Sequence, residues 1–200
     1  MEKALLLLVV SIGISLSAQA QLRYGLTAGL QSAKMRFSGS GLSISTQGQV
    51  GVHLGAVAEF SLSEKFVLRP QFGLSLKGGR LLDDGDVLRT NLTYLELPVH
   101  LAYKHELASG NKLVGGIGPY FGFLLGGNSD GERIVTGEDL KGFDAGLSLM
   151  GGYEITDKNL TVNLFLNPGM ANLVPGLNSS DVKATNSTFG LSVSYFLGGQ

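Results

Sequence analysis

The sequence contains no cysteine and no tryptophan, and only 16% of its 200 residues are charged. The absence of cysteine excludes disulfides, thiolate catalysis and metal sites with cysteine ligands. Basic and acidic residues number 15 and 16, and a net charge of −1 offers no electrostatic attraction for nucleic acid. Glycine, by contrast, is abundant at 30 residues, about twice the usual share. Low charge combined with high glycine content is unusual for a soluble domain.

The first twenty residues have the organisation of a secretory signal peptide. A charged start precedes a 13-residue apolar run (4–16), and Ala18 and Ala20 supply the small residues that signal peptidase requires. The run is too short for a membrane-spanning helix, which needs about 20 residues. We therefore predict that residues 1–20 are a cleaved export signal and that residues 21–200 form one domain.

The rest of the chain has a hydrophobic period of two, which indicates β-strands. Eight segments carry an apolar residue at nearly every second position, and none of these 44 positions is charged. The apolar faces cover residues 22–30, 50–60, 66–76, 95–103, 113–125, 143–153, 160–166 and 189–197. Such a pattern predicts an all-β fold with eight antiparallel strands in up-and-down order.

The connections between these segments alternate in length. Short turns are predicted at 61–65, 104–112 and 156–159, and long polar loops at 32–49, 77–91, 126–142 and 170–187. This alternation is typical of a transmembrane β-barrel whose two ends face different compartments. Because the number of strands is even, both mature termini are expected on the short-turn side, which would be periplasmic.

The second face of the strands decides between a soluble barrel and a membrane barrel. A soluble lipocalin-type barrel turns its apolar face inward and its polar face to water. Here the second face has 37 positions, with 11 glycines and only five charges: Arg23, Glu59, Arg69, Glu96 and Asp144. Small residues suit the narrow interior of an eight-stranded barrel. We therefore predict that these five charges lie inside and that the apolar face contacts lipid.

We expect the enclosed charges to pair, because an unpaired charge inside the barrel is costly. The turn at 61–65 predicts that Glu59 lies opposite Val67 and diagonal to Arg69, with Glu96 on the other side of Arg69. Eight strands give a lumen that side chains can fill, whereas open pores need about sixteen. The predicted filling residues are Glu59, Arg69, Glu96, Tyr120, Met150, Phe165 and Phe196. A wetter lumen with weak, porin-like conductance is the alternative.

Aromatic residues collect at one end of the predicted strands. Six of the eight strands place one on the apolar face next to a short turn: Tyr24, Phe60, Phe66, Tyr103, Tyr153 and Tyr195. Aromatic side chains are enriched where a membrane meets water. These six residues are therefore predicted to form an interfacial girdle.

Histidines provide the main argument for an enzyme, since some outer-membrane barrels modify lipids with Ser and His at the outer rim. His53 and His100 are predicted to point inward and His105 to lie in a short turn, so none reaches that rim. Glu96 and His100 are about 13 Å apart along one strand, too far to share a metal ion. The acidic segment 83–86 lacks the spacing of a calcium loop and is read as a solvated turn. We predict no catalytic, cofactor-binding or metal-binding residues.

Four segments resemble the outer-membrane β-barrel domain family that includes PorT-like proteins. They are TYLELPVHLAY from Thr93, GGIGPYFGFLL from Gly115, FDAGLSLMGGYEI from Phe143 and NPGMANL from Asn167. The end of the chain departs from such barrels, which usually finish on an aromatic residue, because four residues follow Phe196 here. The resemblance implies an outer-membrane barrel that contacts membrane lipids and, during biogenesis, the barrel assembly machinery.

These observations predict an exported, integral outer-membrane β-barrel without nucleic-acid partners. Its expected role is structural, associated with assembly or secretion, or based on binding at the surface, with the four long loops as candidate contacts for other proteins. A narrow porin-like channel is the alternative, and a lipid-modifying hydrolase is a more distant one.

Overall fold

The structure is a computed structural model that describes residues 22–39, 42–83, 86–175 and 183–198. The predicted signal peptide lies outside these ranges. The strands are β1 (Leu22–Gly39), β2 (Leu42–Ser45), β3 (Gln47–Ser61), β4 (Phe66–Asp83), β5 (Asp86–Glu106), β6 (Lys112–Ser129), β7 (Glu132–Arg133), β8 (Phe143–Ile155), β9 (Leu160–Pro168) and β10 (Lys183–Gly198), with a 3₁₀ turn at Thr156–Lys158. Within the described ranges, no helix is long and apolar enough to cross a membrane.

Eight long strands form a single antiparallel sheet that closes into a ring, which confirms the predicted fold. Each long strand pairs with the next one in the chain, in the order β1, β3, β4, β5, β6, β8, β9, β10. The ring closes where β10 pairs with β1, from Tyr24 with Gly198 to Ser38 with Lys183. The two short strands are additions, with β2 paired to β1 and β7 paired to β6.

Side chains alternate between the two sides of the barrel wall as predicted. On β1, Leu26 and Leu30 are 56% and 60% exposed, whereas Thr27 and Gln31 are buried. On β3, Leu54 is 64% exposed. Large apolar side chains therefore cover the outside and polar side chains fill the inside, as in a barrel surrounded by lipid.

The strands are longer than their apolar faces, and this corrects the predicted loops. Segment 32–49 contains the end of β1, all of β2 and the start of β3, and segment 77–91 is the β4–β5 hairpin. Segments 126–142 and 170–187 also begin or end within strands, β6 and β10. The prediction failed because outward residues become polar while backbone pairing continues, so the end of apolar alternation does not mark the end of a strand.

The β3–β4 hairpin has a register two residues away from the predicted one. Phe60 pairs with Leu68, whereas the prediction placed Glu59 opposite Val67. Glu59 therefore lies opposite Arg69 and not diagonal to it. A change of two residues keeps every side chain on its predicted face but changes its partner across the strands.

Inward-facing glycines allow the barrel wall to bend tightly. A Cβ atom on Gly55 would lie 2.7 Å from the Cα of Gly73 on the next strand, and one on Gly73 would lie 2.4 Å from the carbonyl oxygen of Leu54. Real Cβ atoms do not approach other atoms so closely. Glycine on the inner face therefore serves the curvature of the wall as well as the limited space of the lumen.

Candidate functional site

The lumen brings together all five charges predicted to face inward. They belong to two groups at different heights. The lower cluster, near the short turns, consists of Arg23, Glu59, Arg69, Lys104 and Glu154. The upper cluster consists of Lys77, Glu96 and Asp144. Arg69 and Lys77 are both on β4 and are separated by about 20 Å along the barrel axis, given the usual rise and tilt of barrel strands.

In the lower cluster, every carboxylate oxygen contacts a cation. Arg23 Nη1 donates to Glu59 Oε2 at 3.2 Å and to Glu154 Oε1 at 2.7 Å. Lys104 Nζ donates to the Oε2 atoms of Glu59 and Glu154, both at 2.7 Å. Arg69 donates to Glu59 Oε1 through Nε at 2.7 Å, and its Nη2 lies 2.5 Å from the same oxygen. The five charges therefore form a connected network in which Glu59, Arg69 and Glu154 are almost fully buried, while Arg23 keeps 16% of its side chain exposed.

The predicted pairing of Glu59 with Arg69 is confirmed, but the predicted approach of Glu96 to Arg69 is wrong. The residue that pairs with Arg69 across β4 and β5 is His100. Glu96 lies four residues further along β5, about 13 Å away, where it pairs with Lys77 instead. The side chain that takes the expected place beside Arg69 is Asn163, whose Oδ1 accepts a hydrogen bond at 3.3 Å.

Three members of the clusters were missed by the sequence prediction: Lys77, Lys104 and Glu154. Each follows directly after the last outward residue of an apolar face, Leu76, Tyr103 and Tyr153 respectively. Alternation places the next residue on the inner face if the strand continues. Extending each face by one residue would have found all three. Lys77 and Lys104 were wrongly read as the start of a loop and a turn, and Glu154 was left outside the predicted face.

In the upper cluster, one lysine serves two carboxylates. Lys77 Nζ lies 2.5 Å from Glu96 Oε1 and 3.7 Å from Asp144 Oδ2. Tyr120 Oη and Asn186 Nδ2 each donate to Asp144 Oδ2 at 3.2 Å. The lysine ammonium group also lies 5.0 Å from the centre of the Tyr120 ring, which is within cation–π range. In the upper cluster, neutral hydrogen-bond donors and an aromatic ring thus provide part of the stabilisation of buried charge that additional cations provide in the lower cluster.

A cavity of about 50 Å³, lined by both polar and apolar side chains, lies in the lumen. Its lining includes Gln31, whose Nε2 donates to Ser75 Oγ at 2.7 Å. It also includes His100 and Ser148, with 2.7 Å between Nε2 and Oγ, and Ser148 Oγ donates to Asn167 Oδ1 at 2.7 Å. A cavity of this size, with these polar groups in its wall, can hold a few water molecules.

The contact between Ser148 and His100 differs from that of a nucleophile and its base. The hydroxyl proton of Ser148 points to Asn167, so His100 acts as a donor to Ser148 and not as an acceptor of its proton. Both side chains are buried inside the barrel. His53 also points inward, with its ring centre 5.1 Å from that of Phe165.

In the described ranges, no group of three or more His, Cys, Asp or Glu side chains is placed to hold a metal ion. The centre of the acidic segment 83–86, Asp84 and Gly85, lies outside the described residues.

An apolar cap lies at the long-loop end of the lumen. It is formed by buried residues of four different segments, with two partly buried residues packed against them: Met35, Leu92, Tyr94, Leu124 and Ile134, then Phe37 and Leu140. Ile134 belongs to the connection between β7 and β8, and its amide donates to the carbonyl of Gly127 at 3.0 Å. This connection therefore folds over the barrel opening.

The six predicted girdle residues lie on the outer face at the short-turn end. Tyr24 and Tyr195 are about half exposed. Phe66 pairs with Tyr103, and their ring centres are 5.4 Å apart. Tyr153 Oη accepts a hydrogen bond from Asn111 in a short turn. Phe60 completes the set at the end of β3, next to the turn that leads to β4.

At the opposite end, the outer face changes from apolar to polar within the strands. Leu76 and Leu125 are among the last large apolar residues on it, at 44% and 58% exposure. Beyond them, Gln49 Nε2 donates to Asn91 Oδ1, and Asn91 Nδ2 donates to Asn128 Oδ1 at 3.0 Å. This row of amides lies just beyond the edge of the apolar band.

Comparison with known proteins gives one family and several structures. Residues 17–180 match the family described as outer membrane protein beta-barrel domain, and none of the curated proteins matches the chain. OprG from Pseudomonas aeruginosa is similar with a TM-score of 0.53 and 11% identity, over 90% of this chain and 98% of OprG. Neisserial surface protein A has a TM-score of 0.49 and 13% identity, over 85% of this chain and 96% of its own. Ail from Yersinia pestis has a TM-score of 0.45 and 14% identity, over 88% and 99%. At 11% identity, the likeness to OprG shows a shared fold.

Proposed function

The chain belongs to the outer membrane protein β-barrel domain family, and from this premise we propose that it is a sealed, non-enzymatic barrel. In this proposal the barrel holds a β-sheet surface outside the cell for contacts with other molecules. The long loops face the cell exterior, and both mature termini face the periplasm. The observation that carries the proposal is the length of the strands compared with the thickness of the membrane.

The strands are much longer than a membrane requires. β5 has 21 residues, and β1, β4 and β6 have 18 each, whereas a tilted transmembrane strand needs about 9–11. The excess of β5 corresponds to about 25 Å of height. Because the girdle residue Tyr103 is only three residues from the end of β5 at Glu106, most of this excess lies at the long-loop end.

The part of the barrel beyond the apolar band is folded, which supports a role in specific contacts. Leu173 is buried there, with its amide donating to the carbonyl of Ala184 and its carbonyl accepting from the amide of Lys141. A surface that is already ordered loses little conformational entropy when a partner binds. The amide row of Gln49, Asn91 and Asn128 offers hydrogen-bonding groups at its base.

A porin-like channel is the second candidate, and the cavity in the lumen is the observation in its favour. Three features weigh against it: the lower cluster, the upper cluster and the apolar cap all occupy the lumen. Conduction would require the movement of charged side chains that are fully buried and paired. The enclosed position of His100 and Ser148 likewise supports a role without lipid chemistry, since lipid would have to enter the lumen to reach them.

Planar-bilayer recording of the purified full-length protein tests the seal. We expect no stepwise conductance for the natural sequence. A sixteen-stranded porin recorded in the same bilayers serves as the positive control, because a barrel of that size has an open aqueous lumen. Regular channel openings of the natural protein would reject the proposal in favour of the channel.

The absence of cysteine allows a clean test of orientation and of surface contacts. Ser43 on β2 and Ser109 in a short turn are both exposed, so each can be replaced by Cys and treated with a membrane-impermeant maleimide. We expect labelling of Ser43→Cys on intact cells, and of Ser109→Cys only after lysis. A photo-crosslinking residue at Asn128 should then give protein adducts in cells, and the same residue at Leu74 in the apolar band should not. Equal adducts at both positions would argue against a specific outer surface.

A further inference from the structure

Two arginines face each other on the outside of the β4–β5 hairpin. Arg80 and Arg89 are directly paired across the strands, so their side chains project from the same face of the sheet. Leu76, four residues before Arg80, pairs with Thr93 and marks the edge of the apolar band. Four residues of a tilted strand place the arginine pair about 10 Å beyond that edge. The headgroup layer extends about 5–8 Å beyond the hydrocarbon core, so long arginine side chains at this height can reach down into it.

Neither guanidinium has a counter-charge among the residues whose side chains the structure describes, which do not include those of 81–87. All four cations of the lumen clusters contact a carboxylate, whereas Arg80 and Arg89 make no salt bridge within the described ranges. The Nε atom of Arg80 is buried and has no hydrogen-bond partner there. Like charges placed directly opposite each other destabilise an antiparallel pair. The geometry is that of a site in which an anion between the two side chains would remove the repulsion.

Other cations lie on the outer surface at this end of the barrel, although the amide of the acidic residue Asp130 donates to the carbonyl of Arg89. Lys34, Arg36 and Lys183 lie on β1 and β10 beyond the apolar band, with Lys34 and Arg36 exposed. Their partners across the seam between β1 and β10 are neutral hydroxyl residues. These cations are separated from the arginine pair by β3, so they add long-range attraction for an anion and not direct contacts with it.

We propose that Arg80 and Arg89 bind a phosphate group in the headgroup of a glycolipid of the outer leaflet. A planar guanidinium donates two parallel hydrogen bonds to phosphate, and two such groups can hold one phosphate from both sides. The acyl chains of the same molecule lie against Leu74 and Leu76, which are exposed directly below on β4. A soluble anion would contact only the arginines. A phosphorylated lipid contacts both the arginine pair and the exposed leucines below it, so the lipid is the ligand that fits the whole site. The assignment of the leaflet rests on the proposed orientation of the barrel.

Native mass spectrometry of the full-length protein in detergent, with added lipid, tests this site. We expect bisphosphorylated lipid A to bind about tenfold more tightly than either dephosphorylated lipid A or phosphatidylglycerol. The variant Arg80→Gln/Arg89→Gln should lose about tenfold in affinity for bisphosphorylated lipid A. The matched control Arg133→Gln/Lys141→Gln removes two exposed cations at the same end of the barrel and should stay within about twofold.

A variant that keeps both positive charges distinguishes two-pronged hydrogen bonding of the arginines to phosphate from non-directional electrostatic attraction. Arg80→Lys/Arg89→Lys should bind with intermediate affinity, and the gel mobility of unheated samples verifies that each variant is folded. Unchanged binding by Arg80→Gln/Arg89→Gln, or equal binding of lipid A with and without phosphates, would overturn the proposal. So would a preference for phosphatidylglycerol. Because binding is measured in micelles, an inverted orientation would appear in the Ser43 and Ser109 labelling and not here.

Discussion

The two ionic clusters of the lumen balance their charges in different ways. In the lower cluster, three cations surround two carboxylates, and each carboxylate contacts at least two cations. In the upper cluster, Lys77 is the cation that faces both Glu96 and Asp144. The lower cluster therefore has redundant contacts, and the upper cluster depends on a single residue. The number of partners of each buried charge, and not simply the presence of an ion pair, should determine the effect of losing one.

The largest effect is expected for Lys77→Met. This change leaves two buried carboxylates without their cation, and breaking a buried ion pair in this way costs about 3–5 kcal/mol. Urea-induced unfolding in lipid vesicles, followed by gel mobility, measures the loss. The exposed Lys158→Met in a short turn is the control and should change stability by less than about 0.5 kcal/mol. A loss for Lys77→Met as small as that of the control would mean that the upper cluster is hydrated.

Arginine substitutions on the outer face measure the cost of placing an unpaired charge in lipid. This cost can be compared with the losses expected for the buried ion pairs of the lumen. Leu54→Arg, near the middle of the apolar band, should impair insertion by about 2–4 kcal/mol, whereas Phe60→Arg at the edge should cost about 0–1 kcal/mol. Folding into vesicles across a urea series compares the two variants. Equal losses would show that the boundaries of the membrane are wrongly placed.

A smaller effect is expected for Arg69→Met in the lower cluster. Glu59 then keeps Arg23 and Lys104 as partners, so the loss should be about 2 kcal/mol, near that of one hydrogen bond to a charged group. The same unfolding assay applies. If Arg69→Met were as damaging as Lys77→Met, the redundancy of the lower cluster would be refuted.

The smallest quantity is the coupling between Arg69 and Glu59. Combining Arg69→Met with Glu59→Gln should recover part of the separate losses, with a coupling of about 1–2 kcal/mol for side chains in direct contact. A double-mutant cycle in the unfolding assay gives this value. Strict additivity would show that the contact contributes nothing to stability.

The faces of the strands were predictable from the sequence, but their ends and partners were not. Alternation between residues such as Leu26 and Thr27 reports which side of the wall a residue faces, because lipid and lumen select opposite side chains. It does not report where pairing stops, since a strand above the membrane keeps its hydrogen bonds while its outer face becomes polar. Lys77 was missed for this reason.

Which residues lie opposite each other on two paired strands depends on the register of the pair. Alternation fixes the face of each residue but is equally compatible with registers that differ by two residues. Such a step moves a side chain by about 7 Å along its neighbour. The contact between Glu59 and Arg69 tolerated this error because both side chains are long, whereas the partner of Glu96 could not be identified. The inward position of Ile134 depends on how a connecting segment folds over the barrel, for which the sequence contains no periodic signal.

The seam between β1 and β10 also has a consequence for the order in which the barrel forms. It joins Tyr24 to Gly198, so almost the whole domain must be synthesised and delivered before the ring can close. Contacts this distant in sequence form slowly, because a long chain must lose entropy to bring its ends together. Until then β1 and β10 each present an unpaired edge that can pair with another chain. We therefore expect the seam, where Arg23 lies over the ring of Phe196 at 4.4 Å, to be the last part of the wall to assemble.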